Sequence, residues 1–346
     1  MALAARIESA LTRHWRQPRP TLLCWLLLPL SWLYRALNAL RRAAYATGLL
    51  RSHAAPVPVI VVGNLVAGGA GKTPTVIALV HALRHAGWTP GVISRGHGRD
   101  AAGTLAVGEE SRATEVGDEP LLIQRRGGVP VWVARRRIEA AQALCAAHPA
   151  VDVLVADDGL QHLGLQRTLQ VIVFDERGVG NGWQLPAGPL RQPMPRYVPV
   201  NSHVLYNAAR PSTPWPGALA QRRLAGAALL QHWWDGAAPS LDALHALRGR
   251  SLLAAAGMAA PERFFAMLRE AGLQVDTLPL GDHHAYSELP WPSDVPDVLV
   301  TEKDAVKLPR DGGGAATRIW VVTLDFQLPT DFSDAVIDNL RLAHRP

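Results

Sequence analysis

Cysteine is scarce in this sequence, and its scarcity excludes two classes of protein. The 346 residues include only Cys24 and Cys145, too few for a disulfide-stapled scaffold or for a zinc site of the usual spacing. We therefore expect two unpaired thiols in a reducing compartment. Low-complexity tracts and internal repeats are also missing, which argues against a fibrous or solenoid protein. A globular chain of this length exceeds one core of ordinary size, so we expect two domains with additional segments.

Lysine is almost as rare as cysteine. Of the 35 basic residues only three are lysines, namely Lys72, Lys303 and Lys307. A compact ammonium group serves sites that a planar guanidinium does not fit. In a chain that otherwise uses arginine, this rarity draws attention to each lysine, but it assigns no chemical role to Lys303 or Lys307.

Positive charge is concentrated at the amino terminus. Eight arginines and one acid, Glu8, fall within residues 1–51, whereas the rest of the chain is near neutral although the whole carries +6. These arginines flank an apolar segment instead of covering a folded surface. The arrangement predicts contact with anionic lipid headgroups and argues against nucleic acid as a partner.

The apolar segment, residues 21–34, contains no charged side chain. It is shorter than the roughly 20 residues that a membrane-spanning helix needs, and it lacks the cleavage pattern of a secretory signal. Trp25 and Trp32 suit a headgroup boundary, and Pro29 would bend or interrupt a helix. We interpret residues 1–52 as a membrane-associated helical segment, with an interfacial helix pair favoured over a tilted single span or a buried core helix.

A glycine-rich loop follows the first predicted strand. The β-branched run at residues 59–62 predicts a buried parallel strand, and a helical pattern occupies residues 75–85. Strand, loop and helix in this order are the context of a phosphate-binding loop, although the strict pattern has glycine where this chain has Val66. The lysine of the loop would neutralise the β- and γ-phosphates of ATP, and the threonine hydroxyl would bind Mg²⁺. The predicted nucleotide-binding residues are Val66, Ala67, Gly68, Gly69, Ala70, Gly71, Lys72 and Thr73.

Polar residues also follow two other predicted strands. Asp157 and Asp158 end an apolar strand, and in a phosphate-binding-loop fold that edge carries an aspartate that holds the metal directly or through water. Gln161 and His162 lie at the same mouth. Arg95 begins a glycine-flexible turn after another strand and is a candidate phosphate contact, on the nucleotide or on an acceptor.

Two acidic motifs remain ambiguous on local grounds. Asp118 stands in Gly-Asp-Glu-Pro, where acids before a proline also suit the start of a helix. His283 stands in Asp-His-His, which could bind metal, act as a base or cap a helix. Spacing alone does not choose between these readings.

The order of predicted elements indicates an α/β fold. Strands alternate with helices through the first two thirds of the chain, as in a doubly wound parallel sheet. A proline-rich linker at residues 209–227 precedes a second strand–helix pattern. We predict a phosphate-binding-loop domain at residues 53–215, of the P-loop NTPase type, and a smaller α/β domain at residues 225–346 that closes the active-site cleft.

The motifs together resemble those of the tetraacyldisaccharide 4'-kinase family of lipid A biosynthesis. GNLVAGGAGKTP, SRGHGR, GDEP, ADDGLQH, LPAGPLRQP, GDHHAY and TEKDAVK occur in this order over nearly the whole chain. The resemblance implies transfer of the γ-phosphoryl group of ATP, with Mg²⁺, to the 4'-hydroxyl of a tetraacyldisaccharide 1-phosphate. It also implies two α/β domains and a location at the cytoplasmic face of the bacterial inner membrane, monotopic or single-span.

The resemblance further implies roles for the ambiguous residues. Asp118 would be the base that activates the acceptor hydroxyl, and His283 its partner from the second domain. Asp157 and Asp158 would serve the metal. One position departs from the pattern, because Gln192 stands where many relatives have glutamate, and we leave it out of the predicted site.

Two other functions compete with this reading. A membrane-associated P-loop ATPase switch would share the nucleotide site and the amino-terminal helix, but it needs no base such as Asp118 for an alcohol. A non-enzymatic nucleotide-binding scaffold fits poorly with paired aspartates and a single lysine in the loop.

Overall fold

The computed structural model describes residues 11–15, 17, 19–312 and 317–343. In this part of the chain an eight-stranded sheet and a five-stranded sheet form the framework. Both sheets are mainly parallel and each has one antiparallel pair. The predicted α/β class is confirmed. Arg6, Glu8 and Arg16 of the predicted amino-terminal segment lie outside the described residues.

Two helices lie near the amino terminus of the chain. Helix α1 spans Leu22–Leu26 and helix α2 spans Leu28–Ala46. Pro29 lies in the first turn of α2, where a missing backbone N–H breaks no helical hydrogen bond. Two helices are therefore present where a helix pair was predicted, and its interfacial position stays a prediction. No helix in the described ranges combines the length and apolarity needed to cross a membrane.

Helix α2 has one anchored face and one apolar exposed face. Ser31 Oγ donates to the Gln184 carbonyl (2.9 Å) and accepts from the Ala187 N–H (2.9 Å). Tyr34 Oη donates to the Arg191 carbonyl at 2.9 Å. Large side chains on the other side of α1 and α2 are more than half exposed: Leu22, Trp25, Leu26, Leu30, Trp32, Leu33, Leu37 and Leu40.

The large sheet is built around the predicted phosphate-binding strand. Its spatial order is β3-β4-β2-β5-β1-β6-β7-β8, with only the β3–β4 pair antiparallel. The central strands are apolar and buried on both faces because helices cover them. The strands are β1 (Val59–Gly63), β2 (Pro90–Ser94), β3 (Leu105–Ala106), β4 (Val131–Val133), β5 (Val153–Ala156), β6 (Leu169–Asp175), β7 (Ser202–Asn207) and β8 (Ala218–Leu219).

The helices that follow these strands carry several of the predicted site residues. They are α3 (Lys72–His85), α4 (Ala113–Val116), α5 (Asp118–Gly127) and α6 (Arg137–Ala147). Helix α3 buries Val76, Leu79, Val80 and Leu83 against the sheet. Its first residue, Lys72, directly follows the glycine loop, so the helix amino terminus points at the expected phosphate position.

The small sheet has the order β11-β10-β12-β13-β9, with β9 antiparallel to β13. Its strands are β9 (Gln221–Leu229), β10 (Leu252–Gly257), β11 (Val275–Leu280), β12 (Asp297–Thr301) and β13 (Arg318–Gln327). Its helices are α7 (Leu230–Trp234), α8 (Leu241–His245), α9 (Pro261–Glu270) and α10 (Glu302–Ala305). The last helix, α11 (Thr330–Ala343), packs back against α3 and β6 of the large sheet.

Two elements differ from the sequence interpretation. Residues from Gln221 onward form the edge strand β9, although we assigned them to the proline-rich linker. Helix α11 was not predicted, and it buries Phe332, Val336, Ile337 and Leu340. The predicted domain bounds therefore stay a prediction, because α11 follows the small sheet in sequence but contacts the large one.

Candidate active site

The glycine loop adopts a conformation that requires glycine at two positions. Gly68 and Gly71 have φ values of +88° and +93°, which residues with a β-carbon rarely adopt. A β-carbon on Gly71 would also lie 2.2 Å from Asn207 Nδ2. Asn207, at the end of β7, donates to the Ala70 carbonyl at 3.3 Å and so supports the loop.

The position without the usual glycine has a structural explanation. Val66 forms an isolated antiparallel bridge with Leu190 and is buried. The next amide, that of Ala67, donates to the Pro189 carbonyl at 2.8 Å. This part of the loop is therefore extended and pinned to residues 189–190, a conformation in which valine is favourable.

Lys72 is buried at the start of α3 among polar groups. Its Nζ lies 3.4 Å from Asn64 Oδ1 and 3.6 Å from Asp158 Oδ1. Asp158 also accepts two hydrogen bonds from Arg191 Nη1, at 3.0 and 3.1 Å. Burial raises the pKa of Asp158, but Lys72 and Arg191 outweigh burial and the net pKa is lowered. Asp158 is therefore a carboxylate that balances the lysine.

Asp157 has a different environment from its neighbour. It is 1% exposed and accepts a hydrogen bond from Ser94 Oγ at 3.3 Å through Oδ2. Its Oδ1 is buried without a hydrogen-bond partner. Burial, with the nearby charges of Glu119 and Asp158, raises the pKa of Asp157. A buried carboxylate oxygen without a donor favours a cation as its partner.

His162, one of the predicted substrate- or phosphate-contact residues, lies in a positively charged region. Burial and the surrounding arginines lower the pKa of His162 to about 4. Those arginines are Arg137, Arg41, Arg167 and Arg95, so helix α2 contributes to the charge of this region.

Gln161 is fixed at the same edge. It donates from Nε2 to the Asn64 carbonyl at 3.0 Å and lies 3.4 Å from Arg191 Nη1 through Oε1. Arg137 Nη2 donates to the carbonyls of Asp157 and Asp158, at 3.0 and 2.8 Å, and holds that turn. The ends of β1, β2 and β5 thus meet at one edge of the large sheet.

Asp118 and His283 meet across the cleft. His283 Nδ1 lies 2.9 Å from Asp118 Oδ2 and 3.1 Å from Asp118 Oδ1. Asp118 is the first residue of α5, where the helix dipole favours a negative charge, and it also accepts the Glu119 N–H at 2.9 Å. The His283 backbone lies in the left-handed region, with φ +57°, which is uncommon without glycine and occurs at functional sites.

The pair is polarised by its surroundings. Burial raises the pKa of Asp118, but the hydrogen bond from His283 and the charge of Lys303 lower it to about 2. The same hydrogen bond raises the pKa of His283, against burial and Lys303. Asp118 is therefore ionised at neutral pH and oriented by the imidazole.

Lys303 joins the two sides of the cleft beside this pair. Its Nζ lies 3.3 Å from Glu119 Oε1 on α5 and 3.0 Å from Asp282 Oδ1 on the histidine loop. Burial lowers the pKa of Lys303, but Glu119, Asp282 and Asp118 outweigh it and raise the pKa. The lysine is charged in the folded protein.

Two cavities flank the pair. A cavity of about 310 Å³ lies between the glycine loop and the small sheet. Lys72 and Thr73 line it on one side, and Phe264, Leu324 and Phe326 line it on the other. A second cavity, of about 640 Å³, is lined by both Asp118 and His283. The pair is therefore accessible from this second cavity.

The sequence did not reveal the roles of several polar residues of the site. Arg137 and Arg191 are two among many arginines, and nothing local showed that they hold the aspartate turn. Asn64 and Asn207 support the loop from strand ends and were also missed. Lys303 was marked by the rarity of lysine, but its contacts were not foreseen.

Comparison with known proteins identifies the family to which this chain is similar. The sequence model of the tetraacyldisaccharide-1-P 4'-kinase family matches residues 23–341. Tetraacyldisaccharide 4'-kinase of Leptothrix cholodnii is 52% identical over 99% of this chain and 98% of its own length. That of Methylibium petroleiphilum is 53% identical over 93% of this chain and 90% of its own. A crystal structure of LpxK from Aquifex aeolicus in complex with ATP is similar with a TM-score of 0.75 and 26% identity, and the match covers 94% of this chain and 100% of that one.

Proposed function

The chain belongs to the tetraacyldisaccharide-1-P 4'-kinase family, and we propose that it transfers the γ-phosphoryl group of ATP to the 4'-hydroxyl of a tetraacyldisaccharide 1-phosphate. It is a phosphotransferase with a hydroxyl acceptor, and the family does not favour the ATPase switch. One observation carries the mechanism: the Asp118–His283 contact of 2.9 Å beside the cavity that Lys72 lines.

The cavity of about 310 Å³ supports a position for ATP. Its glycine-loop side offers the helix amino terminus and Lys72 to the phosphates. Its apolar side, with Phe264, Leu324 and Phe326, offers a surface for the adenine ring of ATP. The γ-phosphate would then face the cleft where Asp118 lies.

The transfer step follows from the position of Asp118. The 4'-hydroxyl oxygen forms the new bond to the γ-phosphorus as the bond from that phosphorus to the β,γ-bridging oxygen breaks, and ADP leaves. The hydroxyl proton passes to Asp118, whose carboxylate is held by the N–H of His283. A carboxylate of low pKa suffices because the hydroxyl loses its proton late in a loose phosphoryl-transfer transition state. Lys72 stabilises the charge that develops on the phosphates.

The residues of the aspartate turn fit a magnesium ion bound together with ATP. The described part of the chain contains no group of three or more His, Cys, Asp or Glu that could hold a metal alone. Mg²⁺ in phosphoryl-transfer sites takes only one or two protein ligands, because phosphates and water supply the others. Asp157, with its unpartnered Oδ1, and the Thr73 hydroxyl would hold it, with Asp158 nearby. When bound, the ion would neutralise charge on the β- and γ-phosphates.

The acceptor would approach from helix α2. The positive region around His162 combines Arg41 of that helix with Arg95 and with Arg137, which holds the aspartate turn. An acceptor with an anionic headgroup and acyl chains matches a basic region next to an apolar exposed surface. We therefore propose that α1 and α2 lie on the cytoplasmic face of the bacterial inner membrane, and that Arg95, Gln161 and His162 face the acceptor.

Transfer of radiolabelled γ-phosphate in detergent micelles tests this function. With Mg²⁺ and a tetraacyldisaccharide 1-phosphate, label should appear in the lipid. Lys72→Met should abolish transfer, because the phosphates lose their buried cation. Asp338→Asn, a carboxylate change on the exposed side of α11, is the control and should retain activity. Label released only as inorganic phosphate would refute the proposal.

A further inference from the structure

Lys303 has no part in the transfer step described above, yet it lies against the residue that orients the base. We propose that Lys303 is a positioning residue for phosphoryl transfer. It forms an ion pair with Asp282 beside Nε2 of His283, and the imidazole therefore acts on Asp118 through Nδ1 alone. The kinetic consequence of this inference rests on the proposed function, whereas the state of the imidazole does not.

The contacts at Nε2 carry the argument. Lys303 Nζ lies 3.5 Å from Nε2, and Asp282 Oδ1 lies 3.8 Å from the same nitrogen. The lysine and this aspartate are themselves 3.0 Å apart. An ammonium group has donors and no acceptor, so a nitrogen facing it presents its lone pair. The histidine proton then resides on Nδ1, where it is donated to Asp118.

Lys303 also binds the carboxylate of Asp282, which would otherwise stabilise the protonated form of the ring. Without the ammonium, Asp282 would be free to accept a hydrogen bond from a protonated Nε2. His283 would then be an imidazolium between two carboxylates, Asp118 and Asp282, and each opposite charge favours the charged form. The lysine therefore opposes proton uptake both by direct repulsion and by neutralising Asp282.

Helix α5 holds the lysine in this place. Glu119 Oε1 lies 3.3 Å from Lys303 Nζ and is the residue next to the base, so the contact ties the lysine to the same helix turn as Asp118. The His283 ring faces these charged or titratable side chains: Asp118 from α5, His97 from the loop after β2, Asp282 from the loop of His283 itself, and Lys303 from α10. Glu119, also on α5, acts on the ring through its contact with Lys303.

The state of the imidazole affects the base. A neutral imidazole orients Asp118 by one N–H and leaves the negative charge of the carboxylate largely available to the hydroxyl proton. An imidazolium would hold that carboxylate in a charge-assisted pair, which is about twice as strong as a neutral hydrogen bond. Loss of Lys303 should therefore slow transfer most at low pH and least at a pH where His283 is deprotonated.

NMR titration of full-length protein labelled at histidine, without ATP or lipid, tests the first part. The His283 resonance is identified by its loss in His283→Gln. Lys303→Met should raise the pKa of His283 by about 1 or more, the size expected when a charge this close is removed. Lys303→Arg should keep the pKa near the wild-type value. Lys307→Met, a buried lysine one turn away that pairs with Asp304, controls for loss of a lysine and should not reproduce the rise.

The double variant Lys303→Met/Asp282→Asn separates this role from a structural one. Removing Asp282 as well should return the pKa of His283 towards the wild-type value and move the acid limb of kcat back with it. If Lys303→Met acted through a general loss of structure, the second substitution would increase that loss instead of reversing it. An unchanged pKa in Lys303→Met, or no recovery in the double variant, overturns the proposal.

Asp282→Asn alone keeps the proposal testable should Lys303→Met not fold. The ammonium would then face Nε2 without its counter-charge, and the pKa of His283 should fall; an unchanged or raised pKa contradicts the inference. If wild-type protein transferred no phosphate to lipid, the proposed function would fail while the NMR result on Lys303 would stand by itself.

Discussion

Replacing Asp118 by asparagine tests the pairing of Asp118 with His283 through both stability and catalysis. Asparagine has nearly the same size and can still accept the Glu119 N–H, so the change removes mainly the charge. The pKa of Asp118 is about 2 in the folded protein against an ordinary 3.8. At 1.36 kcal/mol for each pKa difference of one, the ionised side chain stabilises the fold by about 2 kcal/mol.

The pH dependence of this loss has a definite sign. Since the folded pKa of Asp118 is lowered, its contribution is present above about pH 4 and disappears as the pH falls through about 2. The folded pKa of His283 is raised, so its contribution is present below about pH 6.5 and disappears as the pH rises through the folded value. The charged pair therefore contributes most between these limits.

Urea unfolding at two pH values measures the effect, with the tryptophans as fluorescent reporters. Asp118→Asn should lower the free energy of unfolding by about 2 kcal/mol at pH 5.5 and by less at pH 9. The cycle with His283→Gln should assign most of the loss to the pair. A loss that is absent at pH 5.5, or larger at pH 9, would refute the ion pair. In the same protein kcat should fall ~10²–10⁴-fold with little change in ATP affinity, and a near-normal kcat would refute Asp118 as the base.

Two further perturbations test the loop and the membrane surface. Gly71→Ala should abolish ATP binding in a nucleotide titration, because the β-carbon would meet Asn207 Nδ2 at 2.2 Å. Gly87→Ala is the control for backbone strain alone, since Gly87 has φ +88° and open space around it, and this variant should bind ATP normally. Equal ATP affinity in the two variants would contradict the argument. The double variant Leu33→Ser/Leu37→Ser should bind anionic vesicles at least about tenfold more weakly in a co-sedimentation assay, since each leucine buried in the membrane contributes ~1.5–3 kcal/mol. Leu342→Ser, which changes an exposed leucine on α11, is the control. An equal loss of vesicle binding in the control would show that the α2 surface is not the docking site.

The sequence predicted the strands of the large sheet well because their residues are apolar on both faces. The strand at residues 59–62 and the apolar residues before Asp157 can be recognised from composition alone. Strand β9 was missed because it is an edge strand that begins with three polar residues, Gln221, Arg222 and Arg223, shortly after a proline-rich stretch. Helix α11 was missed although Phe332, Val336 and Leu340 recur at helical spacing.

The candidate site divides in the same way. Residues at the ends of neighbouring parallel strands, such as Lys72 and Asp158, were expected together because those ends share one edge of a sheet. The contact between Asp118 and His283 joins positions 165 residues apart, and only the family resemblance suggested it. Local spacing does not show which loops of two separate sheets meet, because that depends on how the sheets pack.

The attachment of helix α2 has a consequence for how an enzyme on a bilayer would meet its acceptor. Ser31 and Tyr34 fasten the helix to residues 184–191, and Arg191 of that segment also holds Asp158. The apolar surface and the phosphate-handling edge are thus joined through this one segment. An enzyme docked through α2 would carry its site at a constant height above the lipid and meet acceptors by lateral diffusion in two dimensions, so the sugar would need to rise only as far as this fixed height while its acyl chains stay in the membrane.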